Sequence, residues 1–187
     1  MNAIIFHGTD DKPGSYWQTW LKDELEKAGY QVEMPYLPQL NHEPIADSLA
    51  RVLTKYHFGK ETVLVGHSAG VSLILSILEK IEPRINKAIM VAGPAYISKN
   101  MPVQNNPAIQ DSYDWSLIKK HAKEFVFVNS INDPWGCDDQ HGRKMFDNLG
   151  GTLIIKNEGH MGSTKFNQPY KRFPLLKFLI LGDGSEG

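Results

Sequence analysis

The segment Gly66-His67-Ser68-Ala69-Gly70 has the strongest capacity for chemistry in this chain. Residues 61–65, Glu-Thr-Val-Leu-Val, read as a strand before it, and the apolar stretch from Ala69 onward reads as a helix after it. A serine on so sharp a strand-to-helix turn lifts its hydroxyl above the sheet edge. The flanking positions must stay small, because side chains there would collide with the neighbouring strand and helix. Short Gly-x-Ser-x-Gly matches also arise in plain turns, so the strand and helix on either side carry the reading. The backbone N–H of Ala69, at the helix start, would point at negative charge developing on a carbonyl oxygen.

A nucleophilic serine needs a base and an oriented acid partner. Of the seven histidines, His160 is the best placed, since Glu158-Gly159-His160-Met161 follows the last apolar run. His42, His57, His121 and His141 have no strand end beside them, and His67 adjoins Ser68 too closely to turn its ring onto the hydroxyl. Asp133 follows the apolar run 124–128, and Pro134 keeps its backbone out of the helical region, fixing the direction of the carboxylate. Asp138 and Asp139 compete for the role but sit where a helix begins and suit its N-terminal cap. The order Ser68, Asp133, His160 is the chain order found in α/β-hydrolases. The loop after the first strand, His7-Gly8-Thr9, offers the Thr9 N–H as a second oxyanion donor, and Trp135 is a candidate wall for the substrate. Cys137, Asp138, Asp139 and His141 match no metal-ligand spacing. With no phosphate loop or dinucleotide fingerprint either, no cofactor is expected.

These residues need a scaffold that collects strand ends. Apolar runs at 3–6, 31–34, 62–65, 87–91, 124–128 and 152–155 predict six strands. Helical spacing predicts helices over 17–28, 45–56, 69–80, 115–122, 139–149 and 174–181. Ser15 and Gln18 suggest a capping box for the first helix, and Gly29 its stop. The alternation implies a mostly parallel sheet with helices on both faces. If the chain reverses direction after the second strand, strands one and three become neighbours and the Gly8 loop meets the Ser68 turn. One domain over residues 1–181 is expected, with 182–187 as a flexible tail.

Composition narrows the partners. The chain has 187 residues, 41% hydrophobic and 22% charged, with a formal net charge of −1 and no dense basic stripe, which disfavours nucleic acid. It has one cysteine, no signal-like segment ahead of the first strand and no apolar stretch long enough for a membrane span. A soluble cytoplasmic protein acting on a small ester-like molecule is the expectation, with oligomeric state left open.

The chain resembles the small serine hydrolases related to retinoblastoma-binding protein 9. The likeness rests on Ile5-Phe6-His7-Gly8, Trp17-Gln18-Thr19-Trp20-Leu21, Gly66-His67-Ser68-Ala69-Gly70, Asp114-Trp115-Ser116-Leu117-Ile118, Asn132-Asp133-Pro134 and Gly159-His160. The resemblance implies a three-layer α/β-hydrolase fold with a six-stranded sheet and no large cap domain. It also implies a triad of Ser68, Asp133 and His160, and esterase activity on artificial substrates. The loop Asp10-Asp11-Lys12-Pro13-Gly14 departs from the family pattern in being acidic. Within the stretch 93–114, Tyr96, Ile97, Met101, Val103 and Ile109 are expected to form an apolar pocket wall. Two functions follow: a serine hydrolase, or an interaction module that keeps the scaffold with little or no activity. The intact set of catalytic residue types favours the first.

Overall fold

A computed structural model describes residues 1–102 and 104–182; Val103 and residues 183–187, and with them most of the expected tail, lie outside the described residues. The strands are β1 (Asn2–Phe6), β2 (Gln31–Glu33), β3 (Thr62–His67), β4 (Ile85–Val91), β5 (Ala122–Ser130) and β6 (Thr152–Lys156). The helices are α1 (Gln18–Lys27), α2 (Ile45–Lys55), α3 (Ala69–Leu78), α4 (Trp115–Lys120), α5 (Asp139–Leu149) and α6 (Pro174–Leu181). The strands form one sheet in the order β2-β1-β3-β4-β5-β6, every pair parallel. Ile5 pairs with Val65 and Phe6 with Gly66, so β1 and β3 are neighbours and their C-terminal loops open side by side.

The central strands are apolar without a break because both faces are covered. Ile4, Phe6, Leu64, Met90 and Phe127 point to the face packed by α2, α3, α4 and α5, while the alternate residues Ile5, Val65, Val91 and Val128 point to α1 and α6. Helix α3 is buried along its whole length, in keeping with a sequence that shows no polar face.

Several boundaries differ from expectation for identifiable reasons. Ala122 opens β5 instead of closing α4, because its side chain is buried at the sheet edge beside Ile85. The capping box at α1 does not form. Trp17 is the cap residue and makes no side-chain cap bond; its indole N–H instead reaches the Met161 carbonyl at 2.9 Å. The Gln18 side chain accepts from the Gly14 N–H at 3.2 Å, and the Ser15 hydroxyl accepts from Lys12 N–H at 3.1 Å. Burial of Trp17 in the core thus overrides the local capping signal.

Candidate active site

The turn from β3 to α3 holds Ser68 at φ 55° and ψ −122°, a backbone conformation that costs a non-glycine residue about 1–3 kcal/mol. Its surroundings leave no room for larger neighbours. A Cβ on Gly66 would lie 2.8 Å from the Gly70 backbone, and one on Gly70 would lie 2.7 Å from the Phe6 carbonyl oxygen. Close packing of α3 against β3 therefore requires Gly66, and against β1 it requires Gly70.

His160 sits beyond β6 and Asp133 beyond β5. The loops carry them together: His160 Nδ1 lies 2.7 Å from Asp133 Oδ2, with both side chains almost wholly buried. The second carboxylate oxygen of Asp133 accepts from the Trp135 N–H at 2.8 Å, in a turn closed by Gly136 N–H to the Asp133 carbonyl. Asn132 Oδ1 accepts from the Gly159 N–H at 2.9 Å and ties the acid loop to the base loop. Asp138 caps α5 by accepting from the Gln140 N–H, as its position in the sequence suggested.

The base loop is held from further directions. His160 N–H donates to Gln168 Oε1 at 2.8 Å, and the Trp17 indole holds the next carbonyl, where Met161 takes φ 51°. His67 Nε2 lies 2.9 Å from the His160 carbonyl, which can only accept, so the nitrogen carries the proton and donates. The His67 ring is fully buried and packs edge-on against Tyr16 and Trp17. Burial, reinforced by nearby His160, pulls its pKa down to about 3, so it is neutral where the protein works. The sequence gives His67 no role as base and no sign of this anchoring bond. Its only signal was proximity to Ser68.

On the other side, the β1 loop is fixed by His7. Leu37 N–H donates to His7 Nε2 at 3.0 Å, so the proton sits on Nδ1 and donates to the Gly8 carbonyl at 2.7 Å. Burial lowers the pKa of His7 against the opposing effects of that bond and of Asp11. Gly8 eases the close approach here, since a Cβ would lie 3.0 Å from both Ser68 Cβ and Asp11 Oδ2 and one of them would have to give way.

Ser68, His160, Thr9, Ala69 and Trp135 border one cavity of about 640 Å³, and Asp133 stands behind His160. This volume suits a small ligand. The expected apolar wall is different. Of its described members only Met101 borders the cavity. Tyr96 stacks on His141 at 4.2 Å, Ile109 packs with Met101 and Cys137 behind the wall, and Ile97 is exposed. Val103 lies outside the described residues. The apolar cluster of Met101, Ile109, Cys137 and Trp135 meets the cavity through Met101, Cys137 and Trp135, while Asp10, Asp11, Asn105, Asn106, Thr164 and Lys165 supply polar lining. The metal-like cluster also disperses: Cys137 is buried, Asp138 caps a helix, and His141 Nδ1 accepts from Ala95 N–H.

A parallel sheet covered on both faces, reversed between β1 and β3, with a strained serine at the switch point, is the α/β-hydrolase fold, here without a large cap. The solved structure of the ydeN gene product of Bacillus subtilis superimposes with a TM-score of 0.84 at 23% identity, covering 96% of each chain. Est1E from Butyrivibrio proteoclasticus, with ferulic acid bound, gives 0.69 at 13% identity over 96% of this chain and 86% of that one. In sequence, YdeN of Bacillus subtilis (strain 168) is 28% identical over 136 residues, 70% of either chain. The serine hydrolase family model matches residues 3–178, and the chain belongs to that family. It is a serine hydrolase enzyme.

Proposed function

We propose that the protein cleaves small carboxylic esters, or closely related acyl bonds, through an acyl-enzyme on Ser68. The observation that carries this reading is the buried 2.7 Å contact between His160 Nδ1 and Asp133, bordering the same cavity as the strained Ser68. Asp133 accepts a hydrogen bond from Nδ1–H, which keeps the proton on Nδ1 and leaves Nε2 bare and able to take the proton of Ser68 Oγ. The oxygen then attacks the substrate carbonyl carbon. The N–H groups of Thr9 and Ala69 hold the resulting oxyanion, the second aided by the N-terminal end of α3. His160 passes its proton to the departing alcohol. Water, activated by the same base, then frees the acid and restores Ser68.

The same reading places the chain in the compact branch related to retinoblastoma-binding protein 9, takes residues 1–181 as one catalytic domain and puts it in the cytoplasm. Among the described residues no helix is long and apolar enough to cross a membrane. An interaction module would have no use for backbone strain at Ser68 or for a buried Asp–His contact. A fluorophosphonate probe tests the proposal: one adduct should form, on the peptide containing Ser68, and disappear in Ser68→Ala. A protein that resists labelling at neutral pH would refute it.

A further inference from the structure

Asp11 is a carboxylate turned into the catalytic cavity with no basic partner of its own. It borders the cavity and, among the described residues, takes part in no ion pair. Its neighbour Asp10 is held by His42 at 2.5 Å, so the one imidazole at that rim is already engaged. Asp11 is fixed in place by a relay of neutral donors. Thr164 N–H donates to the Tyr16 hydroxyl at 3.2 Å, and that hydroxyl donates to Asp11 Oδ1 at 3.0 Å. Oδ2 has no donor among the described residues and faces the nucleophile: the point where a Gly8 Cβ would stand lies 3.0 Å from Oδ2 and 3.0 Å from Ser68 Cβ.

A bare negative charge there is costly in two ways. Burial disfavours it, and it raises the Asp11 pKa above the usual carboxylate value against the pull of the Tyr16 bond, His7 and His160. It also stands on the loop whose Thr9 N–H would hold the developing oxyanion, so it repels the charge that the reaction creates. A cation delivered with the substrate removes both penalties. Lys165 does not serve, because its ammonium rests over the Trp135 ring at 4.6 Å and, among the described residues, pairs with no carboxylate.

We propose that Asp11 receives a protonated amine of the substrate, so that the cavity selects acyl compounds with an ammonium group a few bonds from the scissile carbonyl. This rests on the hydrolase reading above and specifies its substrate class. The ammonium can belong to the acyl part, as in an aminoacyl ester, or to the alcohol part, as in an amino-alcohol ester.

Two isosteric pairs test it at pH 7, with liberated acid followed by pH-stat. Alanine ethyl ester against ethyl isobutyrate places the charge on the acyl side. 2-(Dimethylamino)ethyl acetate, protonated at this pH, against 3-methylbutyl acetate places it on the alcohol side. Each rate is divided by that ester's hydroxide-catalysed rate to remove intrinsic reactivity. In at least one pair the wild type should favour the cationic member by about tenfold or more in kcat/KM, and the pair that responds shows which side carries the amine. Asp11→Asn should erase that preference, chiefly through loss on the cationic ester. Equal treatment of both members of both pairs by the wild type would overturn the proposal, even if the variant failed to fold. So would a preference that survives Asp11→Asn. Labelling of Ser68 by a fluorophosphonate without preference for either cation overturns the substrate class alone, whereas no labelling overturns the hydrolase reading with it.

Discussion

His67 should make the protein sensitive to acid in a way that one substitution can remove. The ring is fully buried, anchors the His160 carbonyl and has its pKa pulled down to about 3 by burial and by His160 and His7, with Asp133 and the carbonyl bond opposing. In the unfolded chain it titrates near the ordinary value of about 6.5. Between those two values the unfolded state holds a proton that the folded state does not, so stability rises with pH and falls on acidification. One proton corresponds to a slope of about 1 kcal/mol per pH unit, beginning below about pH 6.5. His67→Gln keeps a donor for the His160 carbonyl but cannot titrate. Urea unfolding at several pH values between 7.5 and 4.5 should therefore show the variant losing less stability per pH unit than the wild type, by about 1 kcal/mol. His7 and His141 are also buried with lowered pKa values, and they contribute equally to both proteins, so they cancel in the difference. Parallel stability curves for wild type and variant would show that His67 takes up its second ring proton as readily in the folded protein as in the unfolded chain, and the buried neutral ring of this account would be wrong.

Other consequences follow from the site. Asp133→Asn should lower kcat on the order of 10³- to 10⁴-fold, because the amide lets the His160 ring take the wrong tautomer. Asp138→Asn should change kcat only a few-fold, since that residue caps α5, and the opposite ranking would move the acid role to Asp138. Across esters from C2 to C12, kcat/KM should fall once the acyl chain exceeds about six carbons, because the apolar surface that Met101, Pro102 and Trp135 offer is bounded by a cavity of about 640 Å³, and methylenes beyond it gain no burial. A steady rise through C12 would reveal an apolar groove that the structure does not show.

The features that sequence revealed are those whose cause is local. Val63 to Val65 and Phe125 to Val128 are apolar on consecutive residues because both faces of their strands are covered, so the strands could be read directly. Ser68, Asp133 and His160 were picked out by a related signal, and each stands within a few residues of the C-terminal end of a strand. What escaped depends on partners far along the chain. Trp17 abandons the local cap because Met161, from the opposite end of the sequence, offers it a buried carbonyl. Tyr96 leaves the cavity for His141, and Asp11 turns inward because Tyr16 is itself positioned by Thr164. None of these pairings leaves a periodic trace in either segment alone.

A nucleophilic Ser68 cannot be replaced without loss of turnover. Steady-state hydrolysis of p-nitrophenyl acetate by purified Ser68→Ala, with folding checked by circular dichroism, measures that loss. The expected result is a fall of about 10⁴- to 10⁶-fold in kcat with the spectrum retained. A folded Ser68→Ala protein that turns the ester over near the wild-type rate would contradict it.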